Sequence, residues 1–533
     1  MIQDGLNGMT DLRWHSLWIL HFSQQLAEGI WYPRWLSSVN YGYGSPTFVF
    51  YPPFTYYLGS CLKWFGLTVE QSIIFLFCFS LFLSGLYVYF YARIKLGLIP
   101  SLIGALAYMT SPYLAFNTYE IGSISVAFGI AWVPLGFGLT EKAMINPKWS
   151  IPLALSWAIL ALTHLPTLLL CTIVWIPYTL LFLLWRPWKI VIKNVISIAL
   201  GLGLASFYLV PVIVEQRLVD INSMKNVGGG FKNMMFGAGL PLVNPRFDLS
   251  LSQIFIQQLL AIVIAGSLSL IILRNNKQRF EESRYWLIFS LISAFLMTSW
   301  SWPIWASSSL LQKIQAPWRL LHLFSFGEAI LCAILVSSIT QCKLQNKLLI
   351  ISIIMVILLT NSAYFYKISR KYVTFHNPGR SNLEYLEPTR KALFEGYTEA
   401  LQDVSEYRPL LNNGLSSPDP IPNQPRFSVT KGKATIELLQ WKSYERVLEI
   451  NVEKESRINI RTYNYPAWHL YVNQKSHPID TANNGTIDFK LAPGFYKIEL
   501  IYQWTSAFIL GIILSLFSLT ILIILIFKPL LVT

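Results

Sequence analysis

Long apolar runs separated by short polar connections occupy most of the first 370 residues of the chain. A helix needs about 20 apolar residues to cross a bilayer, and eleven runs approach that length. The runs predict transmembrane helices near residues 70–92, 97–114, 121–141, 150–164, 166–185, 194–214, 253–273, 285–301, 319–340, 347–366 and 504–527. The pattern therefore predicts a polytopic α-helical membrane protein.

The pattern changes to short alternating segments in the second half of region 367–503. Segments such as "RVLEINVE", "RINIRTYNY" and "FYKIELIY" alternate apolar and polar residues after the linker-like "SSPDPIPNQP", with "NNG" and "APG" as turns. These features predict a small antiparallel β-sandwich tethered by a final helix. The predicted domains are a first loop with interfacial helices (1–69), a multi-span domain (70–366), the β domain with its linker (367–503), and a final helix with a short tail (504–533).

The first loop has its own helical pattern. Between Leu12 and Glu28, apolar residues recur at helical spacing, namely Trp14, Leu17, Trp18, Phe22 and Leu26. Tryptophan-rich amphipathic helices lie in the membrane interface. A second interfacial segment is predicted at "FYPPFTYYLGSCLKWFG", where the two prolines favour a helix start.

Composition supports the membrane class and excludes other classes. Hydrophobic residues make up 54% of the chain and charged residues 13%, with a mean hydropathy of +0.47, unlike a soluble globular protein. The net charge of +14 does not indicate nucleic-acid binding, because the cations cluster at the ends of apolar runs. The five cysteines lie in or beside those runs, so neither a disulfide framework nor a thiolate metal site is predicted.

The cations also predict an orientation. If residues 1–69 lie outside, one set of connections carries most of the basic residues and falls on the cytoplasmic side, as the positive-inside rule requires: Arg93, Lys95, Lys142, Lys148, Arg186, Lys189, Lys193, Arg274, Lys277, Arg279, Arg284, Lys343, Lys347 and Lys528. The loops 215–252 and 302–318 and the polar region 367–503 are then external. Nothing before the first loop is apolar enough to carry it across, so we expect a further transmembrane helix upstream of Met1.

Several motifs resemble known membrane families. The run "DLRWHSLWILHFSQQLAEGIWYPRWLSSVNYGYGSPTFVFYPPFTYYLG" resembles the first external loop of the GT-C glycosyltransferase superfamily, in which an acidic residue opens the loop. More closely, the chain resembles, over nearly its whole length, the bacterial membrane family labelled 6-pyruvoyl-tetrahydropterin synthase-related. It shares that family's "YPRW", "GYGSP", "FYPP", "THLPT", "QAPWR" and "YPAW" elements. The pterin label does not transfer, because a pterin synthase is a soluble enzyme with a histidine-based zinc site and nothing in this sequence resembles one.

The resemblance implies a membrane glycosyltransferase. Such an enzyme moves a sugar from a polyprenyl-phosphate donor to a glycan, lipid or protein acceptor on the outer face of the bacterial inner membrane. The reaction needs a carboxylate as general base for the acceptor hydroxyl and cationic or backbone donors for the leaving phosphate.

Asp11 is the catalytic base that the resemblance implies. The alternative is an aspartate in the first turn of an amphipathic helix, where the helix macrodipole favours it. Some relatives carry a second acid beside the first, but here that neighbour is Leu12. Without an acidic pair, neither a cofactor nor a tightly held metal is predicted, although a divalent metal is not excluded.

Three further residues are substrate-binding candidates because of their chemistry. His15 shares Asp11's helix face and could orient the acceptor, or it is an ordinary interfacial histidine. Arg34 and Arg319 fall on the outer side, where the positive-inside rule does not explain them. An arginine fork suits a phosphate, and the alternative for each is a snorkelling interfacial cation.

Three more candidates lie at the outer ends of predicted spans or in the first loop. His164 could face the same cavity as Arg319 or be a core histidine. Glu120 is an ionisable residue at membrane depth. Tyr51 lines the site by analogy, although an aromatic belt explains it equally well.

Two other functions fit a basic polytopic protein. A flippase or transporter for a lipid-linked glycan is one, although no internal repeat or pair of broken helices supports it. The other is a non-catalytic assembly protein for surface polysaccharide, which would require Asp11 to be only a helix cap.

Overall fold

The computed structural model describes residues 11–181, 183, 187–237, 248–373 and 402–527. The residues Arg186 and Lys528, the end of the predicted span 166–185 and much of the region before the linker lie outside these ranges. The described helices are α1 Leu12–Ala27, α2 Thr47–Phe50, α3 Phe54–Trp64, α4 Val69–Arg93, α5 Leu98–Met109, α6 Pro112–Phe116, α7 Ile124–Ile145, α8 Ser150–Ala161, α9 Leu165–Leu181, α10 Trp188–Leu204, α11 Ser206–Glu215, α12 Asp248–Ile272, α13 Lys277–Met297, α14 Trp302–Ser307, α15 Ser309–Gln312, α16 Leu321–Ser337, α17 Leu344–Val373 and α18 Ser506–Phe527.

Each of the eleven predicted spans coincides with a helix, but not every helix is a simple crossing. Within the described residues, seven helices are long and apolar enough to span a membrane, and α10 with α11 forms a pair bent by 73° that would make an eighth. With 12 residues, α8 is about 18 Å long and too short to cross a hydrocarbon core of about 30 Å. The prediction of eleven spans treated every apolar run as a full crossing, whereas several runs form short or bent helices.

The polar region forms an antiparallel sheet of seven strands in the order β4-β3-β7-β2-β6-β5, with β1 on the other edge of β2. β1 and β2 form a long antiparallel hairpin at the centre of the branched sheet. On its other edge, the first half of β2 pairs with β7 and its second half with β6. The strands are β1 Phe427–Trp441, β2 Glu445–Tyr463, β3 Trp468–Val472, β4 Lys475–His477, β5 Asp480–Thr481, β6 Thr486–Leu491 and β7 Gly494–Tyr502. The predicted class of a helical membrane protein with an antiparallel β domain and a final apolar helix is confirmed. The strands of that domain form one branched sheet rather than the two stacked sheets of the predicted β-sandwich.

The β domain shares a hydrophobic core with the first loop. Trp35, from the "YPRW" motif, is fully buried, and its ring centroid lies 5.9, 5.8 and 5.7 Å from those of Tyr465, Trp468 and Tyr502. Gly44 approaches Trp35 so closely, with φ +80°, that a Cβ there would lie 2.5 Å from the indole nitrogen. The "YPRW", "GYGSP" and "YPAW" motifs therefore fasten the β domain to the first loop.

A buried cluster of ion pairs lies at the face of the helical domain opposite the β domain. Lys95, after α4, forms ion pairs with Glu141 of α7 and, at 2.9 Å, with Glu282 of α13. Arg279 extends the cluster by pairing with Glu282 at 3.2 Å. The cluster links three helices whose ends carry several of the cations predicted to be cytoplasmic.

Replacing Lys95 by methionine is expected to lower the free energy of unfolding by about 3 kcal/mol, because it leaves the buried Glu141 carboxylate without its cation. The double variant Lys95→Met/Glu141→Gln should recover most of that loss. Unfolding of the detergent-purified protein measures both effects. An unchanged Lys95→Met variant would show that the ion cluster adds nothing to stability.

Candidate functional site

The first loop and three connections between transmembrane helices meet on the face that carries the β domain. The backbone N–H of Asp11 donates to the carbonyl of Ile121, 2.8 Å away, and that of Phe54 donates to the carbonyl of Leu162 at 2.9 Å. These bonds join the first loop to the turns before α7 and after α8. Candidate side chains from distant parts of the sequence are thereby brought to one place.

Asp11 occupies the N-cap position of α1, but its side chain makes no capping hydrogen bond. Capping would have used the carboxylate oxygens on the backbone N–H groups of the first turn. The side chain is half-buried. The side chain therefore does not cap the helix, while the helix macrodipole still favours a carboxylate at this end.

Tyr51 lies within electrostatic range of both Asp11 and Arg319. Burial raises the pKa of Tyr51 to about 12, its hydrogen bond with the Ser125 hydroxyl lowers it, the Asp11 carboxylate raises it and the Arg319 guanidinium lowers it. The phenol therefore stays protonated at neutral pH and can donate a hydrogen bond. Its ring packs on Trp18, with centroids 4.6 Å apart, so its position is fixed.

Arg319 lies in the turn Pro317–Leu320 that precedes α16. Its Nη1 donates to the carbonyl of Ile314 at 2.9 Å, which anchors one edge of the guanidinium. Arg319 also interacts electrostatically with His164 and His322. Sequence reasoning predicted Arg319 and His164 here but missed His322, whose signal is its position one helical turn after the arginine.

The two histidines are held in complementary hydrogen-bonding states. The Nδ1 of His164 lies 2.7 Å from the Thr167 hydroxyl and accepts the backbone N–H of Thr167 at 3.3 Å, and both contacts are satisfied when the ring proton is on Nε2. The Nδ1 of His322 donates to the carbonyl of Arg319. Its Nε2 is buried and has no hydrogen-bond partner within the described ranges, so it is an acceptor available to a ligand.

His15 lies beside the cluster, but other side chains occupy both of its ring nitrogens. Its Nδ1 is 2.6 Å from the Tyr56 hydroxyl and its Nε2 is 3.2 Å from the Ser123 hydroxyl. Burial lowers the pKa of His15 to about 3, so the ring is neutral at physiological pH. Both ring nitrogens therefore have partners within the protein, which tie α1 to α3 and to the segment before α7.

The depressed pKa of His15 predicts acid sensitivity. The unfolded chain binds a proton at this residue below about pH 6.5, and the folded protein does not, so stability is lost as pH falls through that value. Between about pH 7 and about pH 5 the loss from His15 is about 2 kcal/mol. The free energy of unfolding, measured at both pH values, should fall less in His15→Gln than in the wild-type protein. The control His469→Gln, at an exposed position, should keep the wild-type dependence on pH. Equal pH dependence in all three proteins would contradict this prediction.

A second carboxylate, missed by sequence reasoning, enters the site from the segment before the β domain. Glu406 interacts electrostatically with Asp11; burial raises its pKa, and Asp403 and Asp11 raise it further. The segment is anchored by Asp403, which accepts the Trp18 indole N–H at 2.8 Å and the Thr47 hydroxyl. No pattern in the sequence links Glu406 to the first loop, because only the docking of the β domain brings them together.

Two predicted site residues lie outside the cluster. Arg34 is buried, donates to the Gln503 carbonyl at 3.3 Å and stacks on Phe508 of α18, with the guanidinium carbon 3.9 Å from the ring centroid. Glu120 lies in a single π-helical turn and interacts electrostatically with Tyr364 of α17. Arg34 thus contacts the β domain and the last helix, and Glu120 contacts α17.

The described side chains offer few ligands for a metal. Among the residues that the structure describes, no group of three or more His, Cys, Asp or Glu side chains is placed to hold a metal ion.

A family model matches residues 48–368, more than half of the chain. It describes a membrane protein with a 6-pyruvoyl-tetrahydropterin synthase related domain. The chain belongs to this family. The match confirms the membrane family that the first-loop, "THLPT" and "QAPWR" motifs indicated. No functionally curated protein matches the chain.

Two solved structures are similar to the chain. One is ArnT from Cupriavidus metallidurans in the apo state, with 12% identity and a TM-score of 0.32, covering 63% of this chain and 74% of ArnT. The other is the same protein bound to undecaprenyl phosphate, with 14% identity and a TM-score of 0.30, covering 63% and 75%. Alignments with such low TM-scores do not assign an activity to this chain.

Proposed function

We propose that this protein is a membrane glycosyltransferase that uses a polyprenyl-phosphate-linked sugar as donor. The observation that carries the proposal is that a carboxylate, Asp11, and a guanidinium, Arg319, both lie within electrostatic range of the Tyr51 hydroxyl. The first-loop resemblance to GT-C enzymes supports the same assignment of Asp11. The acceptor is a glycan, lipid or protein at the membrane surface.

In the proposed reaction, Asp11 removes the proton of the acceptor hydroxyl as its oxygen attacks the anomeric carbon. The bond from the acceptor oxygen to the anomeric carbon forms while the bond from that carbon to the phosphate oxygen breaks. The proton ends on the Asp11 carboxylate, and the polyprenyl phosphate leaves with the electron pair. Glu406, whose carboxylate interacts with Asp11, adds negative potential where the proton is taken up.

The leaving phosphate is stabilised by Arg319. Its guanidinium offers a planar set of donors that matches phosphate oxygens, and the Nε2–H of His164 lies in the same electrostatic cluster. The unpartnered Nε2 of His322 can accept a hydrogen bond from a sugar hydroxyl. Arg319 and the Nε2–H of His164 thus donate hydrogen bonds to the phosphate, whereas the Nε2 of His322 accepts one from the sugar.

The location of Arg319 suits a lipid donor. Arg319 lies near the start of the apolar segment Pro317–Thr340, which is long enough to span a membrane. A phosphate bound there would sit at the membrane edge while its prenyl chain stays in the hydrocarbon region. Because the positive-inside rule puts the cation-rich connections in the cytoplasm, we place the site on the external side of a bacterial inner membrane.

A deletion strain tests the proposed function in the cell. We expect profiling of its glycolipids and surface glycans to show the loss of one sugar substituent and the accumulation of its unmodified acceptor. Expression of the wild-type protein should restore the substituent, and expression of Asp11→Asn should not. A flippase or an assembly protein predicts instead that Asp11→Asn restores the glycan.

A further inference from the structure

We propose that the β domain carries a binding cleft for a neutral oligosaccharide, distinct from the cluster around Asp11. A cavity of about 560 Å³ lies between the second half of β2, the ends of β1 and β6, and the connection after β5. Tyr43 of the first loop closes one side of it. This volume falls in the range of about 300–1,000 Å³ that is typical of ligand sites.

The side chains of the cleft have the planar, paired donors and acceptors that sugar hydroxyls need. Arg457 donates from Nε to Asp488 and from Nη2 to Asp480 at 2.8 Å. The Nδ2 of Asn459 donates to the Thr486 hydroxyl at 2.7 Å, which leaves the amide oxygen as an acceptor. These groups project from paired strands, so they are held in place before a ligand arrives.

The charged groups of the cleft are engaged by the protein itself. Arg457 and Arg461 lie in the wall with Asp488, and Asp480 pairs with Arg457 beside it. Arg461 donates from Nη1 to the Gln424 carbonyl. The groups left for a ligand are therefore mainly amides and hydroxyls, which recognise the hydroxyl groups of a neutral sugar.

The cleft also has an apolar side for the C–H faces of a sugar. Tyr43, Ile421 and Pro425 form that part of the wall. The Tyr43 ring is fixed against Tyr463, with centroids 5.2 Å apart. A cleft with a small apolar wall and many amide, hydroxyl and guanidinium groups fits a saccharide better than a lipid or an apolar peptide.

The first loop connects the cleft to the candidate active site. The Tyr43 carbonyl accepts the backbone N–H of Tyr463 at 2.8 Å, and Tyr51 of the cluster follows in the same loop. A glycan held in the cleft would therefore be fixed relative to Asp11, which favours transfer by orienting the acceptor. The assignment of this glycan as the acceptor rests on the proposed function, whereas binding itself does not.

Binding of neutral hexasaccharides to the full-length protein in lipid nanodiscs tests the cleft. The probes are maltohexaose, cellohexaose, mannohexaose and chitohexaose, with hexagalacturonic acid as the charged comparison, followed by saturation-transfer NMR and calorimetry. Asn483 lies exposed in the wall, so Asn483→Trp fills the cleft without disturbing the core. Thr435→Trp, at an exposed position further along β1, is the matched control.

We expect at least one neutral hexasaccharide to bind, with its affinity lowered at least about tenfold by Asn483→Trp, a change of about 1.4 kcal/mol, and unchanged by Thr435→Trp. Binding of none of the neutral probes, preference for hexagalacturonic acid, or equal binding by Asn483→Trp would overturn the proposal. Asp11→Asn should retain binding, because Asp11 lies outside the cleft. If the wild-type protein binds a hexasaccharide but transfers no sugar, the proposed function is refuted and the binding cleft is still supported.

Discussion

Asp11→Asn is expected to slow sugar transfer by about 10³-fold, because the amide cannot accept the proton of the acceptor hydroxyl. The substitution keeps the shape of the side chain and the backbone hydrogen bond to Ile121. It removes no helix cap, since the Asp11 side chain makes no capping bond. The variant should therefore fold normally and still bind the donor, and initial rates with purified protein measure the loss.

A matched control separates loss of the base from loss of a surface charge. Glu437 is an exposed carboxylate on β1, and Glu437→Gln should transfer sugar at the wild-type rate. Thermal unfolding of all three proteins should coincide. Transfer by Asp11→Asn at close to the wild-type rate would show that another group is the base, with Glu406 the first alternative because it interacts with Asp11.

Arg319→Ala is expected to lower the transfer rate by about 10²- to 10³-fold, because the phosphate loses its charged donor as negative charge develops on it. Arg319→Lys keeps the charge but not the planar fork, so it should recover all but about tenfold of the rate. Donor titrations should show that both variants also bind polyprenyl phosphate more weakly. The experiment therefore measures both the rate of sugar transfer and the affinity for polyprenyl phosphate.

The control for the arginine lies on the opposite face of the helical domain. Arg284 is half-exposed and pairs with Glu281, and Arg284→Ala should leave transfer unchanged. Arg319 also anchors the Ile314 carbonyl, so a purely structural role is the competing explanation. That role predicts equal losses in Arg319→Lys and Arg319→Ala and a lowered unfolding temperature in both.

The helices were predictable from the sequence because a long apolar run must be buried, either in the membrane or in the protein, and that signal lies within the run itself. The crossings were less predictable, because run length does not reveal a bend such as the 73° angle between α10 and α11. The β domain was predictable from alternation, but its branching was not. It depends on β2 pairing with two different strands along one edge.

The site was only partly predictable. The family resemblance made Asp11 a candidate. Arg34 and Arg319 became candidates together, because both are predicted on the outer side, where the positive-inside rule does not explain them. The structure separates the two arginines: Arg319 joins the cluster, whereas Arg34 stacks on Phe508, more than 470 positions away. No local pattern encodes such a contact, and the same reason hid Glu406.

The claim that this protein consumes a lipid-linked sugar is tested most directly by following the donor. The purified protein is reconstituted in liposomes with radiolabelled polyprenyl-phosphate sugars and an envelope extract as acceptor, and free polyprenyl phosphate is measured with the labelled product. We predict that wild-type protein releases polyprenyl phosphate in step with product and that Asp11→Asn releases almost none. A donor that crosses the bilayer intact, or is consumed equally fast by Asp11→Asn, would contradict the assignment of a transferase with Asp11 as its base.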